Sequence, residues 1–269
     1  MNVSRLRDNA RQIRRDIVEM THYAGSGHPG GSLSSAEIMA VLYCHVMKHD
    51  PTRPQWEERD RFYLSKGHAC PVLYAALGEA GYFDKAAFRL LRKLGAILQG
   101  HPHRLKTPGV EASSGSLGQG LSLAAGTALG LRMDKRKSRV FCLLGDGELQ
   151  EGQVWEAAMA AGHFRLDNLC AVVDYNNLQI DGAVEKVMGL APLADKWRAF
   201  RWNALEVDGH SVDALVSAFD RAANTRGKPT VLLAKTVKGK GVSFMEDKAE
   251  WHGRAPNREE YEKAMEELS

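Results

Sequence analysis

The sequence predicts an α/β fold, a doubly wound and mostly parallel sheet, and three observations carry that prediction. The run RVFCLLGDGE at 139–148 is apolar and ends in a glycine turn. The helical stretch QEGQVWEAAMAAGHF at 150–164 follows it, and NLCAVVDYNNLQI at 168–180 is a second apolar run ending in polar residues, so the three make a β-α-β unit. A third run, PTVLLAKTV at 229–237, is preceded by the helix-patterned VDALVSAFDRAAN at 212–224 and extends the alternation.

The remaining elements follow in chain order. Leu6, Ala10, Ile13, Ile17 and Met20 recur at helical spacing between charges, so residues 4–22 read as an amphipathic helix with a solvated basic face. The arginines there are interrupted by Asp8, Asp16 and Glu19, which argues against a targeting segment. After the glycine-rich loop AGSGHPGGS, Ser34 and Glu37 have the spacing of a capping box ahead of Ile38, Val41, Leu42 and Val46. RFYL at 61–64 reads as a short strand, SKGHAC as a loop, and VLYAALGEAGYF at 72–83 as a helix. Residues 98–120 show no usable period, and so long a loop in a compact domain is usually functional. LSLAAGTALGLRM at 121–133 is helical, and NREEYEKAMEELS at the C-terminus reads as a capped helix. A single domain over 1–269 is expected, with a helical tail from about residue 254.

Composition narrows the function classes. The chain has 269 residues, 44% of them hydrophobic and 26% charged, with 26 Gly and 9 Pro, ordinary globular usage rather than disorder or a fibrous repeat. Lys and Arg number 36 against 33 Asp and Glu, and a net +3 gives no reason to expect nucleic-acid or membrane binding. No apolar stretch approaches the roughly 18 residues that span a bilayer. The four cysteines contain no CxxC pair, and Cys142 and Cys170 sit in apolar runs, so a reducing, cytoplasmic setting is expected.

In a parallel sheet the ligand crevice lies beyond the carboxyl ends of the strands, where Asp146 and Asn176 end successive strands. Two hard oxygen donors on one edge suit Mg²⁺ carrying a phosphate ligand, and the glycines flanking Asp146 allow close backbone approach. His28, His68 and His101 sit in Gly-flanked loops and His252 precedes Gly253, a possible proton-transfer cluster, although each taken singly reads as structural. Glu151 and Glu156 point in different directions on a helix and read as surface residues. Two rivals carry less weight: zinc at His101-Pro-His103, which lacks a helical HxxxH or HExxH, and a base–thiol pair at His68 and Cys70.

Together SGHPGG, LSKGHA, QGHP, GSLGQG, the GDG-to-NNLQIDG run and KTVKGKGVSFMEDKAEWHG resemble transketolase, from about Ala24 to Gly253. The resemblance covers only that family's amino-terminal, diphosphate-binding domain, and is similar to the N-terminal subunit of a split transketolase. It implies thiamine diphosphate and Mg²⁺, or another divalent cation such as Ca²⁺ or Mn²⁺, with the metal on Asp146, Asn176 and the carbonyl of Leu178. It places Gly145, Gly147, Glu148, Asn176 and Lys238 toward the cofactor, with His68 and His252 against the diphosphate. Gly115, Ser116 and Leu117 would line the aminopyrimidine side, Ser116 standing where many relatives have proline. His28 and His101 would contact the oxygens of a two-carbon unit, and Glu151 and Glu156 would lie in a proton network at a subunit interface. His103 and Arg104 follow His-Pro where relatives often have an acidic residue.

The implied activity is transfer of a glycolaldehyde unit from a ketose phosphate to an aldose phosphate. It would require a C-terminal partner that carries the pyrimidine-binding domain, the activating glutamate and the sugar-phosphate arginines, in a heterotetramer of two small and two large subunits. A branched or sulfonated ketose, or another thiamine diphosphate enzyme such as 1-deoxyxylulose-phosphate synthase or a pyruvate dehydrogenase α subunit, remains as the alternative.

Overall fold

The computed structural model describes residues 2–269. Helix α1 (Val3–Ala24) buries Leu6, Ala10, Ile13, Ile17 and Met20, the predicted stripe, and ends at Gly25, whose positive φ of 62° closes the helix. Short helices α2 (Pro29–Leu33) and α3 (Ala36–Val41) follow, the latter running into a single π turn, Leu42–Val46. Strand β1 (Arg61–Leu64) leads through residues 65–69 into α4 (Cys70–Glu79). A long loop then reaches α5 (Gln119–Met133), β2 (Val140–Gly145), α6 (Gly152–His163) and β3 (Leu169–Tyr175). The two-residue strands β4 (Leu178–Gln179) and β5 (Gly182–Ala183) form a hairpin before α7 (Val184–Met188) and α8 (Leu193–Ala199). The chain closes with β6 (Asn203–Asp208), α9 (Val212–Asn224), β7 (Thr230–Lys235) and α10 (Arg258–Glu267).

The main sheet has five strands in the order β1-β2-β3-β7-β6, every neighbouring pair parallel. Successive strand residues point to opposite faces, so each strand feeds two cores. Phe62, Phe141, Leu143, Cys170, Val172 and Leu232 pack on the side of α1, α3, α4 and α9. Tyr63, Cys142, Leu144, Ala171, Val173 and Leu233 pack on the side of α5, α6 and α8. Both faces are covered, as an all-parallel sheet requires. Helix α10 lies on α1, with the Tyr261 and His22 rings stacked at 4.3 Å.

Three local expectations are corrected. Ser34 and Glu37 make no capping box: α3 starts after Ser35, Ser34 Oγ donates to Asp174, and Glu37 is buried beside Arg14. The basic face of α1 is accordingly not all solvated, since Arg14 pairs with Glu37 at 2.6 Å and its Nε donates to the Lys240 carbonyl, tying α1 to the segment after β7. Edge strand β6 and the β4–β5 hairpin add to the elements that the sequence pattern announces. The C-terminal cap does form, as a reciprocal pair of bonds between Asn257 and Glu260.

Candidate active site

The carboxyl edges of β1, β2, β3 and β7 converge on one cavity of about 250 Å³. The turn after β2 supplies Gly145, Asp146, Gly147 and Glu148, and the turn after β3 supplies Asn176 and Leu178. Residues after β1 bring Lys66 and His68, those after β7 bring Lys238 and His252, and His28 from the loop after α1 closes the ring with Gly115 and Leu117 from the loop before α5. The predicted constellation is thus largely one place, although its members span most of the chain.

Asp146 caps its own turn: one carboxylate oxygen accepts from Gly147 N at 2.8 Å and the other from Asn177 N. Asn177 sits at a positive φ of 60°, which folds the β3 turn back toward Asp146. The Asn176 amide is pinned at both ends, Nδ2 donating to Asp174 at 3.0 Å and Oδ1 accepting from Leu178 N at 3.1 Å. Burial, reinforced by the nearby Asp174 carboxylate, pushes Asp146 up to about 6.

Behind these groups lies a network that sequence reasoning missed. Lys66 Nζ bonds to Asp174 at 2.5 Å, to the Gly31 carbonyl at 2.7 Å and to Ser35 Oγ at 2.7 Å. Asp174 also accepts from Ser34 at 2.6 Å and from Thr236. Burial would raise the Asp174 carboxyl, but Lys66 and these hydroxyls outweigh it and hold it below the usual carboxylate range. The only sequence signal was an acid inside an otherwise apolar strand, which demands a partner that the sequence does not name.

Three histidine rings meet at the cavity wall: His68 to His252 at 4.9 Å between centroids, His28 to His68 at 5.3 Å and His28 to His252 at 5.5 Å. Burial, then neighbouring cationic and imidazole groups, depress their basicity, His28 to about 4, His252 to about 3 and His68 well below the ordinary value. All three are neutral at pH 7. Lys238 Nζ donates to His252 Nδ1 at 3.1 Å and to the Leu178 carbonyl at 3.0 Å, so His252 carries its proton on Nε2. Burial lowers Lys238 to about 8.

Other expected residues are placed differently. His101 stands at the rim, 6.4 Å from the His28 ring and packed on Gly115, where an added Cβ would lie 3.3 Å from its ring. Ser116 is exposed and outside the cavity lining. Glu148 lines the cavity, but its oxygens accept from Gly118 N at 2.8 Å, from Gly145 N at 3.0 Å and from Ser65, so the carboxylate staples loops together. Glu151 and Glu156 are exposed and outside this cavity; Glu156 borders a separate groove between α5 and α6. The base–thiol pair is overturned: Cys70 is buried, donates to the Gly100 carbonyl at 3.2 Å and is pushed up to about 12 by burial. His103 accepts from Leu105 N in a local turn, and no group of three His, Cys, Asp or Glu side chains among the described residues is arranged around a metal position.

The cavity residues suit a diphosphate with a divalent cation. Asp146, Asn176 and the Leu178 carbonyl are hard oxygens on one edge, and a desolvated carboxylate beside a second one is stabilised by a cation. Gln179 Nε2 is buried in the same wall without a partner among the described residues, a donor available to a phosphate oxygen. Gly145 and Gly147 line the cavity with no side chain to hold a phosphate away, their own N–H groups being engaged by Glu148 and Asp146.

A doubly wound domain with this edge is a diphosphate-binding α/β domain, and the comparisons give the family. The profile described as "Transketolase, thiamine diphosphate binding domain" matches residues 4–269, so the chain belongs to the transketolase family. It is 46% identical over 263 residues to the 6-deoxy-6-sulfo-D-fructose transketolase subunit SqwG of Clostridium sp. (strain MSTE9), covering 98% of this chain and 96% of that protein. It is 41% identical over 269 residues to an apulose-4-phosphate transketolase subunit of Phocaeicola vulgatus, covering 100% of this chain and 95% of that protein. Against human transketolase the identity is 44%, with 98% of this chain but 42% of that protein covered. The crystal structure of Campylobacter jejuni transketolase superposes with a TM-score of 0.94 at 34% identity over all of this chain and 43% of that one.

Proposed function

We propose that the chain is the thiamine diphosphate-binding subunit of a two-chain transketolase, a transferase moving a two-carbon ketol unit between sugar phosphates. One observation carries the reading: the chain spans nearly the whole length of relatives named as transketolase subunits, yet less than half of the single-chain transketolases. The remaining half would be a partner with the pyrimidine-binding domain, in a heterotetramer, working in the cytoplasm where its four free thiols stay reduced. Among the described residues, no helix is long and apolar enough to cross a membrane. A synthase or dehydrogenase reading is not favoured, because the near-full-length relatives carry transketolase names.

Asp146, Asn176 and the Leu178 carbonyl would hold Mg²⁺, and Gly145, Gly147, Gln179, His68 and Lys238 would face the diphosphate. When bound, thiamine diphosphate supplies the nucleophilic carbon and the electron sink for carbon–carbon cleavage. The chain's own contribution is orientation and proton handling. His252 presents Nε2–H, backed by Lys238, as a donor to substrate oxygens. Neutral His28 and His101 at the mouth would contact the ketol hydroxyl and carbonyl. Glu151 and Glu156, outside the cavity, would serve the proton network across the subunit interface.

The test is reconstitution with the partner, thiamine diphosphate and Mg²⁺, and assay on xylulose 5-phosphate, 6-deoxy-6-sulfo-D-fructose and apulose 4-phosphate. The last two sugars are those for which the two near-full-length relatives are named. Ketol transfer from any of them supports the reading, and pyruvate consumption in its place rejects it.

A further inference from the structure

Arg92 belongs to none of the motifs above, yet its guanidinium reaches the histidine cluster. Nη2 lies 3.4 Å from His28 Nδ1 and Nη1 3.5 Å from Ser26 Oγ. The backbone is set for this: Arg92 has a positive φ of 63°, which few non-glycine residues adopt, and its N–H closes a loop by donating to the Leu98 carbonyl at 2.9 Å. That loop returns to Gly100, where an added Cβ would stand 3.1 Å from Arg92 Nε and 3.3 Å from Cζ. Gly100 is in turn held by Cys70 Sγ at 3.2 Å, and the flanking Gln99 and His101 carbonyls accept from Tyr74 at 2.9 and 3.1 Å. Arg92 is therefore clamped between the segment bearing His28 and the segment bearing His101.

We propose that Arg92 is a positioning residue that fixes the tautomer of His28, so that His28 offers Nε2–H to the substrate's ketol oxygens. A guanidinium only donates, so the Nδ1 facing it must be the acceptor, and the ring proton is then on Nε2. Nε2 has no hydrogen-bond partner among the described residues and belongs to a ring lining the cavity. His252 is set the same way by Lys238, so two rings would present N–H donors to one space. The groups facing His28 are the rings of His68, His101 and His252 with the cations Arg92 and Lys238. No carboxylate is among them, and after burial Arg92 is the strongest influence keeping His28 unprotonated. A neutral donor can hold a polarised oxygen without losing its proton to bulk solvent. This assignment rests on the reading of the cavity as a transketolase site.

Long-range proton–nitrogen NMR of the histidine side chains in the full chain tests the tautomer without any activity. The expected result is Nε2–H at His28 at pH 7, with Arg92→Met giving a tautomer mixture and an upward-moved titration. In the reconstituted enzyme Arg92→Met should lower kcat/KM about tenfold, with Arg92→Lys recovering part of it. Gly100→Ala, which crowds the guanidinium while keeping it, should reproduce the loss if Arg92→Met does not fold. An Nδ1–H tautomer in the wild type, or unchanged tautomer and kcat/KM in Arg92→Met and Gly100→Ala, overturns the proposal. Absence of ketol transfer by the wild-type assembly would instead reject the functional reading and leave the NMR result standing.

Discussion

A histidine kept neutral by its surroundings presents one N–H donor and one acceptor nitrogen at neutral pH, and burial keeps His28, His68 and His252 in that state. The same property sets a pH dependence of stability. With His28 near 4 and His252 near 3 in the fold, against about 6.5 when exposed, the unfolded chain binds more protons at these two sites below pH 6.5, and the single carboxyl of Asp146, raised to about 6 in the fold, offsets only part of that. Stability should be full above pH 6.5 and fall as pH drops toward the folded values, so the urea midpoint should be lower at pH 5 than at pH 7.5; a higher midpoint at pH 5 would contradict the assignment. At the back of the cavity, Lys66→Met leaves the buried Asp174 carboxylate unpaired and should cost about 3–5 kcal/mol, while the double variant Lys66→Met, Asp174→Leu should cost less than the two single changes added together. Strict additivity in the double-mutant cycle would show that the pair is not coupled. The histidines and Asp146 were legible because each stands in a short glycine-flanked motif. Lys66 and Arg92 were not, since their roles depend on partners far along the chain or on a left-handed loop that no local pattern announces.

Among the elements, β2, β3 and β7 were readable because strands buried on both faces are continuous apolar runs. Strand β6, NALEVD, alternates buried and exposed residues at the sheet edge and carries two acids, so its pattern is weak. The Ser34–Glu37 spacing misled because tertiary partners, Asp174 and Arg14, took both side chains. The long loop before α5 becomes ordered by what it packs on. At the start of α5, Gly120 lies so close to β1's end that an added Cβ would sit 2.6 Å from Ser65 Cα, and Gly120 N donates to Ser65 Oγ at 3.1 Å. Gly120→Ala should therefore push α5 away from Ser65, loosen the Glu148 staple and lower both the melting temperature and thiamine diphosphate affinity. An unchanged melting temperature with full cofactor binding would show that α5 is free to shift.

At the scale of the whole molecule, the cavity opens beside apolar surface that this chain does not cover. Ile180, which lines it, is 69% exposed, Phe164 just after α6 is an exposed lining residue of the α5–α6 groove, and Leu123 on α5 and Met159 on α6 are exposed as well. Exposed apolar area of this kind marks an interaction face. It agrees with the proposal that the chain is one part of a larger assembly, and with relatives named as subunits. Asp146→Ala tests the other half of that proposal, the cation-held cofactor: the variant should lose Mg²⁺-dependent thiamine diphosphate binding by isothermal titration while keeping its fold. Retained Mg²⁺-dependent affinity would refute the metal assignment. The most direct measurement is ketol transfer by the isolated chain, by the partner and by the two mixed with thiamine diphosphate and Mg²⁺. Activity confined to the mixture is the predicted result, and ketol transfer by this chain alone would contradict the account.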